Sequence, residues 1–253
     1  MMARARHQFE FVGELVALTA KTFRCMFTPP FYWLRVLEQI VELGQRSLSI
    51  TIVIGFVMGL VMTLQFGYGL AKFGGTLYVP AIVSLSLIRE MAPIFTSLLV
   101  AGRIGSGIAA EIGAMNVSQQ IDAIRALGTS PIRVLVVPRM VAAMVSLPLL
   151  GILATFVGII GGAFIARAEF DMAYGFYFNK VLSTIKLHDV FSCYIKCMFF
   201  AFIITLFACW RGFNTKEGTR GVGQAATWVV VRSSIVILVS DFFLSKILIL
   251  LFD

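Results

Sequence analysis

The stretch VPAIVSLSLIREMAPIFTSLLVAGRIGSGIAA, residues 79–110, decides the fold. It is longer than the roughly 20 residues a helix needs to cross a bilayer, and at 1.5 Å per residue it measures about 45–50 Å. Its C-terminal end is therefore expected to tilt or protrude. Inside it, Arg89 and Glu90 stand side by side. An ionised side chain near the bilayer centre costs at least roughly 2.5–3.5 kcal/mol on insertion scales, so each charge needs a partner, a cavity or a task. Neighbouring helical residues point about 100° apart, so these two are poorly placed to satisfy one another. At least one is expected to face water, a polar ligand or another helix.

About ten residues further on, side chains become small. Ala101, Gly105, Ala109 and Gly113 form one ridge, and Gly102, Ser106, Ala110 and Ala114 form the next. Such ridges let helix backbones approach closely in a membrane. Packing within the chain is the expected use, with a homodimer contact as the alternative. Gly55 and Gly59, and Gly158 and Gly162, carry a weaker form of the same signal.

Composition supports an all-α integral membrane protein. The chain has 253 residues, 59% of them hydrophobic and only 13% charged, with a mean hydropathy of +0.92. A soluble domain does not carry such values. The net charge of +8 raises the question of nucleic acid, but its distribution argues against that partner. Arg4, Arg6, Lys21, Arg24, Arg35 and Arg46 precede the first apolar segment. Arg125, Arg133 and Arg139 lie around one inter-span loop, and Arg211, Lys216, Arg220 and Arg232 around a later one. The alternate loops hold Lys72 in one case and Arg167, Lys180 and Lys186 in the other. The asymmetry places the N-terminus in the cytoplasm.

Residues 1–46 are expected to lie in the membrane interface. Phe9, Val12, Val16, Phe23 and Phe27 recur at helical spacing among Glu10, Glu14, Lys21 and Arg24, and Pro29 and Pro30 are expected to end that helix. A second amphipathic stretch sets Leu34, Leu37 and Val41 against Arg35, Glu38 and Glu42. Packing on a partner's surface is the other reading of both. The basic start of the chain does not read as a cleavable signal peptide. From residue 47 onward the expected spans are about 48–68, 79–110, 138–166, 190–210 and 228–251. No inverted repeat is visible.

The segment from Glu111 to Pro138 is expected to face the cytoplasm. Ile121, Ile124 and Leu127 share a helical face, with Asp122 and Arg125 turned to solvent, and Gly128 would terminate the short helix ahead of Pro131. The chain lacks a Walker-type phosphate loop, so any ATP chemistry must come from a partner. Neither a catalytic triad nor a zinc-ligand spacing is arguable from His7, His188 and the four cysteines. No cofactor, metal or enzymatic activity is expected.

The motif Asp122-Ala123-Ile124 followed by Gly128 resembles the coupling loop of ABC importer permeases, with a shorter interval to the next proline. Three further runs carry a more specific resemblance. They are Ser86-Leu-Ile-Arg-Glu-Met-Ala-Pro93, then Ala101-Gly-Arg-Ile-Gly-Ser-Gly with Ala110-Glu-Ile-Gly113, then Pro138-Arg with Ser146-Leu-Pro148. Together they resemble the MlaE (YrbE) family from about residue 45 to the C-terminus. The family comprises permease subunits of ABC transporters that work with MCE proteins.

The resemblance implies a homodimer in the bacterial inner membrane, two cytoplasmic ATPase subunits and a periplasmic MCE lipid-binding protein. It implies transfer of phospholipid or a similar lipid, in the service of outer-membrane lipid asymmetry. It also implies a lipid cavity formed by Met62, Gln65, Phe66, Gly69, Leu70, Phe73, Arg89 and Glu90. Coupling to the ATPase is expected at Glu111, Asp122, Arg125 and Gly128. Arg89 suits a phosphate oxygen; the competing account is that Arg89 and Glu90 hold helices together. Arg103 is read as structural, Lys246 as snorkelling to the outer interface, and Lys196 has no assigned role. An ion-coupled secondary transporter would need more intramembrane carboxylates than Glu90 in the first two spans. A non-transporting scaffold would leave Arg89, Glu90 and the 111–137 loop unexplained.

Overall fold

The computed structural model describes residues 2–28, 32–216 and 218–252, with side chains from Glu10 to Leu251. Pro29 and Pro30 and the side chain of Phe9 lie outside the described residues. Among the described residues ten α-helices account for almost all positions, and no strand occurs. They are α1 (Met2–Met26), α2 (Trp33–Ala71), α3 (Val79–Ser86), α4 (Ala92–Val100), α5 (Ser106–Val117), α6 (Gln120–Ala126), α7 (Val137–Phe170), α8 (Tyr174–Thr184), α9 (Leu187–Phe213) and α10 (Gly218–Phe252). Wider π-helical turns at Leu87–Met91 and Ala101–Gly105 join α3 to α4 and α4 to α5, and another at Ile132–Val136 opens α7.

Among the described residues five helical stretches are long and apolar enough to cross a membrane: Trp33–Ala71, Thr76–Val117, Ile132–Phe170, Leu187–Phe213 and Gly218–Leu251. Each contains one of the expected spans and extends beyond it. The second amphipathic stretch is no separate element. Leu34, Leu37 and Val41 belong to α2, which runs unbroken through 39 residues. Between 111 and 137 the chain is also more helical than a loop: Glu111 lies within α5, and residues 132–136 already wind towards α7.

The chain folds as two compact units, one comprising Met1–Leu43, Val100–Val145 and Phe200–Val236, the other Gly44–Leu99, Ser146–Phe199 and Ile237–Asp253. In the first unit the ridge Ala101, Gly105, Ala109 and Gly113 is buried. A methyl group added at Gly105 would lie 2.9 Å from Ile204 and 3.3 Å from Val229, so α9 and α10 use the absent side chain. The second ridge is only half-buried, and nothing approaches Gly102. The N-terminal helix α1 is held through Phe11, whose ring meets Trp210 edge to face at 4.7 Å between centroids. Trp210 Nε1 donates to Glu14 Oε2 at 2.9 Å in the same place. Val12, Val16 and Phe23 remain exposed on α1, as does Phe27 just past its end.

In the second unit the weaker glycine signal marks a close helix crossing. A methyl group built on Gly59 of α2 would fall 1.8 Å from the Gly158 carbonyl oxygen of α7. The two backbones touch there. Beside this crossing lies a core of Val79, Val83, Leu87, Ile159 and Ala163, completed by Tyr177 of α8. Burial pushes the Tyr177 phenol up to about 12, against a smaller opposing pull from the Thr63 hydroxyl.

Candidate functional site

Arg89 and Glu90 sit within the π-helical turn, where the Ala92 N–H bonds back to the Leu87 carbonyl. This i→i+5 step inserts one residue into the helix and re-aims the side chains it carries, a device frequent at functional sites. Each of the two charges finds a different partner.

Arg89 Nε donates to Asp189 Oδ1 at 2.6 Å. Asp189 is 1% exposed, and its other oxygen accepts the Lys186 backbone N–H at 2.8 Å. Asp189 therefore closes the start of α9 as well as holding Arg89, the return half of a capping box. His188 Nε2 lies 3.3 Å from Arg89 Nη2 and 3.4 Å from Asp189 Oδ1.

Glu90 faces Lys196, which is 1% exposed. The Lys196 ammonium donates to Glu90 Oε2 at 2.8 Å, to the Arg89 carbonyl at 2.8 Å and to Ser245 Oγ at 2.7 Å. Asp241 Oδ1 lies 3.2 Å from the same nitrogen, and Ser245 Oγ lies 3.1 Å from Glu90 Oε2. Lys196, without an assigned role in the sequence, is thus the hub of the cluster. A buried ammonium is tolerated only when its three protons and its charge are answered, and here they are.

A cavity opens over these groups. Arg89, Glu90, His188, Ser192, Lys196 and Ser245 form its polar wall, with Leu248 and Ile249 on the apolar side. Its interior is small, about 20 Å³, room for a water molecule. The side chains of Arg89 and Glu90 keep 29% and 34% of their surface open, whereas Asp189, Lys196 and Asp241 are buried behind them.

The other residues expected at a lipid cavity stand apart from this opening. Met62, Phe66 and Leu70 pack against the Val79–Val83–Leu87 core. Gln65 and Gly69 are exposed on α2, and Phe73, 87% exposed, follows its end. None of the six lines the cavity at Arg89. Conversely, His188, Asp189, Ser192, Asp241 and Ser245 were not singled out from the sequence. Asp241 had a readable signal, a lone carboxylate in an apolar run that also needs a partner.

Three of the expected coupling residues, Asp122, Arg125 and Gly128, lie on α6 or at its end. Helix α6 ends in a Schellman motif: Gly128 adopts φ +72°, its N–H bonds to the Arg125 carbonyl at 2.9 Å, and the Thr129 N–H bonds to the Ile124 carbonyl at 3.2 Å. Asp122 and Arg125 pair at 2.9 Å on the exposed side. Leu127 departs from the expected face. Ile121 is buried, but Leu127, just past the last helical turn, is 82% exposed. Glu111 is committed elsewhere, to Arg139 of α7 at 2.6 Å.

The sequence matches the family model of the permease MlaE over residues 36–247. The chain belongs to the MlaE permease family. It is 34% identical over 246 residues to a probable ABC transporter permease protein of Rickettsia typhi, covering 96% of this chain and 95% of that one. It is 40% identical over 209 residues to a probable ABC transporter permease protein of Synechocystis, covering 83% and 80%. It is 33% identical over 214 residues to the intermembrane phospholipid transport system permease protein MlaE of Haemophilus influenzae, covering 84% and 82%. This is a multi-pass membrane permease of an ABC transport system, and the Arg89–Glu90 cluster lies within its membrane-spanning helices.

Proposed function

We propose that this permease moves phospholipid between the bacterial inner membrane, where its N-terminus is cytoplasmic, and a periplasmic MCE lipid-binding protein. It works as a homodimer driven by a separate cytoplasmic ATPase, and so supports outer-membrane lipid asymmetry. The observation that carries the reading is the pair of half-open charges, Arg89 and Glu90, presented to a polar-walled opening in an apolar bundle. The phospholipid cargo named for the Haemophilus relative supports the same class of substrate. Acyl chains lie outside the cavity along α2, over Gln65, Gly69 and Phe73, with Met62, Phe66 and Leu70 as the backing wall. The exposed end of α6, with Asp122, Arg125, Leu127 and Gly128, presses on the ATPase, and Glu111 transmits the push to α7 through Arg139. ATP binding closes the dimer and squeezes the cavity.

A second reading has an observation of its own. Arg89 and Glu90 are bound to Asp189 and Lys196, both buried on α9, and Glu90 also to Ser245 of α10, so they hold those helices while only shaping the cavity. One experiment separates the two: native mass spectrometry of the chain co-expressed with its genomic neighbours, with lipid extraction from wild type and Arg89→Ala. A complex of two permeases and two ATPases carrying phospholipid, lost in the variant while the complex persists, supports the binding role. An intact complex whose lipid ignores the substitution favours the second reading. A chain that recovers no ATPase overturns the transporter assignment proposed here.

A further inference from the structure

In the first unit, two apolar runs meet the same border at a tryptophan. The run of α9 closes with Trp210 and that of α10 begins at Trp228, and the two rings lie 5.3 Å apart. Tryptophan collects where hydrocarbon meets headgroups, so the pair marks that level. Arg211 follows Trp210 directly, and Arg232 lies one turn inside the run that Trp228 opens. Their guanidinium carbons are 5.8 Å and 5.7 Å from the centre of the Trp228 ring. Such stacking uses the face of a guanidinium and leaves the five N–H donors in its plane unanswered. Among the described residues no carboxylate pairs with either arginine; Glu14, beside Trp210, accepts the indole N–H instead. The Arg211 Nε is buried and has no hydrogen-bond partner among the described residues, and an unanswered buried donor is costly. Arg232 is exposed, flanked on α10 by Val231 and Ile235, which are 52% and 54% exposed.

We propose that Arg211 and Arg232, set around Trp228, hold the phosphate of an anionic phospholipid whose acyl chains lie over Val231 and Ile235. The site shares no residue with the cluster at Arg89 and does not depend on the transport reading. A guanidinium presents its donors in a planar fork that matches phosphate oxygens. Two arginines without a carboxylate call for a ligand of net negative charge. A zwitterionic headgroup supplies a phosphate but brings a cation of its own to them, so it answers the charge less well. A soluble phosphate would meet the same donors and leave Val231 and Ile235 bare. A lipid uses both, because its headgroup and chains join at the level the two tryptophans mark.

The test uses the full chain, purified in mild detergent and freed of co-purified lipid. It is given equal amounts of dioleoyl phosphatidylglycerol and dioleoyl phosphatidylcholine, and native mass spectrometry counts the lipid retained. The expected result is enrichment of the anionic lipid by about tenfold, the ratio that one charge-assisted hydrogen bond supports. Arg232→Gln changes an exposed side chain and leaves the fold intact, and it should reduce the enrichment to about threefold. Arg211→Gln/Arg232→Gln should abolish it. Equal recovery of the two lipids by the unmutated chain overturns the site, as does an enrichment unchanged in Arg232→Gln. Displacement of the anionic lipid by inorganic phosphate would assign the arginines to a soluble anion. Its exclusion when the chain is recovered with an ATPase would assign them to that protein. Either result overturns the lipid assignment, and neither bears on transport through the Arg89 cluster.

Discussion

Lys196 Nζ and Glu90 Oε2 lie 2.8 Å apart, and this contact joins two charges that look misplaced when each is seen alone in its apolar segment. Lys196 also reaches Asp241 of α10, so one ammonium ties the π-helical turn after α3, the middle of α9 and the C-terminal half of α10. The cluster is a structural joint with two of its members, Arg89 and Glu90, left half-open.

Removing Lys196 should therefore cost more than removing either open charge. Lys196→Met leaves Asp241 and Glu90 without their cation, and breaking a buried pair in this way costs about 3–5 kcal/mol. Thermal unfolding in detergent should show a large loss for Lys196→Met, with part recovered in the double variant Lys196→Met/Asp241→Asn. A melting temperature unchanged in Lys196→Met would mean that the ammonium carries no structural role.

The α2–α7 crossing makes a sharp prediction about two glycines on one helix. A methyl group at Gly59 would collide with the Gly158 backbone, while one at Gly69 would meet nothing within 4 Å. Backbone cannot move aside as a side chain tip does, so Gly59→Ala should lower the yield of folded protein severely. Gly69→Ala should stay within about 0.5 kcal/mol of wild type, as exposed substitutions do. Size-exclusion profiles of the two variants from parallel preparations would show the contrast.

Gly128 has φ +72°, where a side chain costs roughly 1–2 kcal/mol. Gly128→Pro also forces φ to about −65° and removes the N–H that bonds to Arg125. The end of α6 should unwind without disturbing membrane insertion. Gly128→Pro and Asp122→Lys are then expected to insert normally and to lose assembly with, or stimulation of, the ATPase. Normal lipid-stimulated ATP turnover in both variants would sink the coupling role of α6.

Tyr177 gives the fold an alkaline limit. Its phenol is pushed from 10.0 to about 12 by burial, so the folded state holds the proton more tightly than the unfolded chain. The contribution is complete below pH 10 and declines as pH rises from 10 towards 12. A tenfold difference in proton affinity between the two states is worth about 1.36 kcal/mol. Tyr177→Phe should remove that alkaline component from unfolding curves recorded between pH 10 and 12. A wild-type curve that stays flat over this interval would contradict the prediction.

The all-helical spanning architecture was legible because hydrophobic length and the bilayer's thickness leave few alternatives. The glycine stop at 128 was legible for a similar reason, since a left-handed residue at a helix end is a local requirement. The register of the ridge at Ala101, Gly105, Ala109 and Gly113 was also local. Its occupant was not, because Ile204 and Val229 lie far from the ridge along the chain.

What the sequence determined by itself was the number of apolar helices, the end of α6, and the presence of Arg89 and Glu90 where a charge must be answered. Only the tertiary structure decided who answers. Arg89 meets Asp189, and Glu90 meets Lys196 beside Asp241 and Ser245, while Met62, Phe66 and Leu70 turn to the core. Hydrophobic length is a property of consecutive residues and can be summed along the chain. Charge compensation depends on distances of a few ångströms between separate helices, and those distances exist only once the helices have packed.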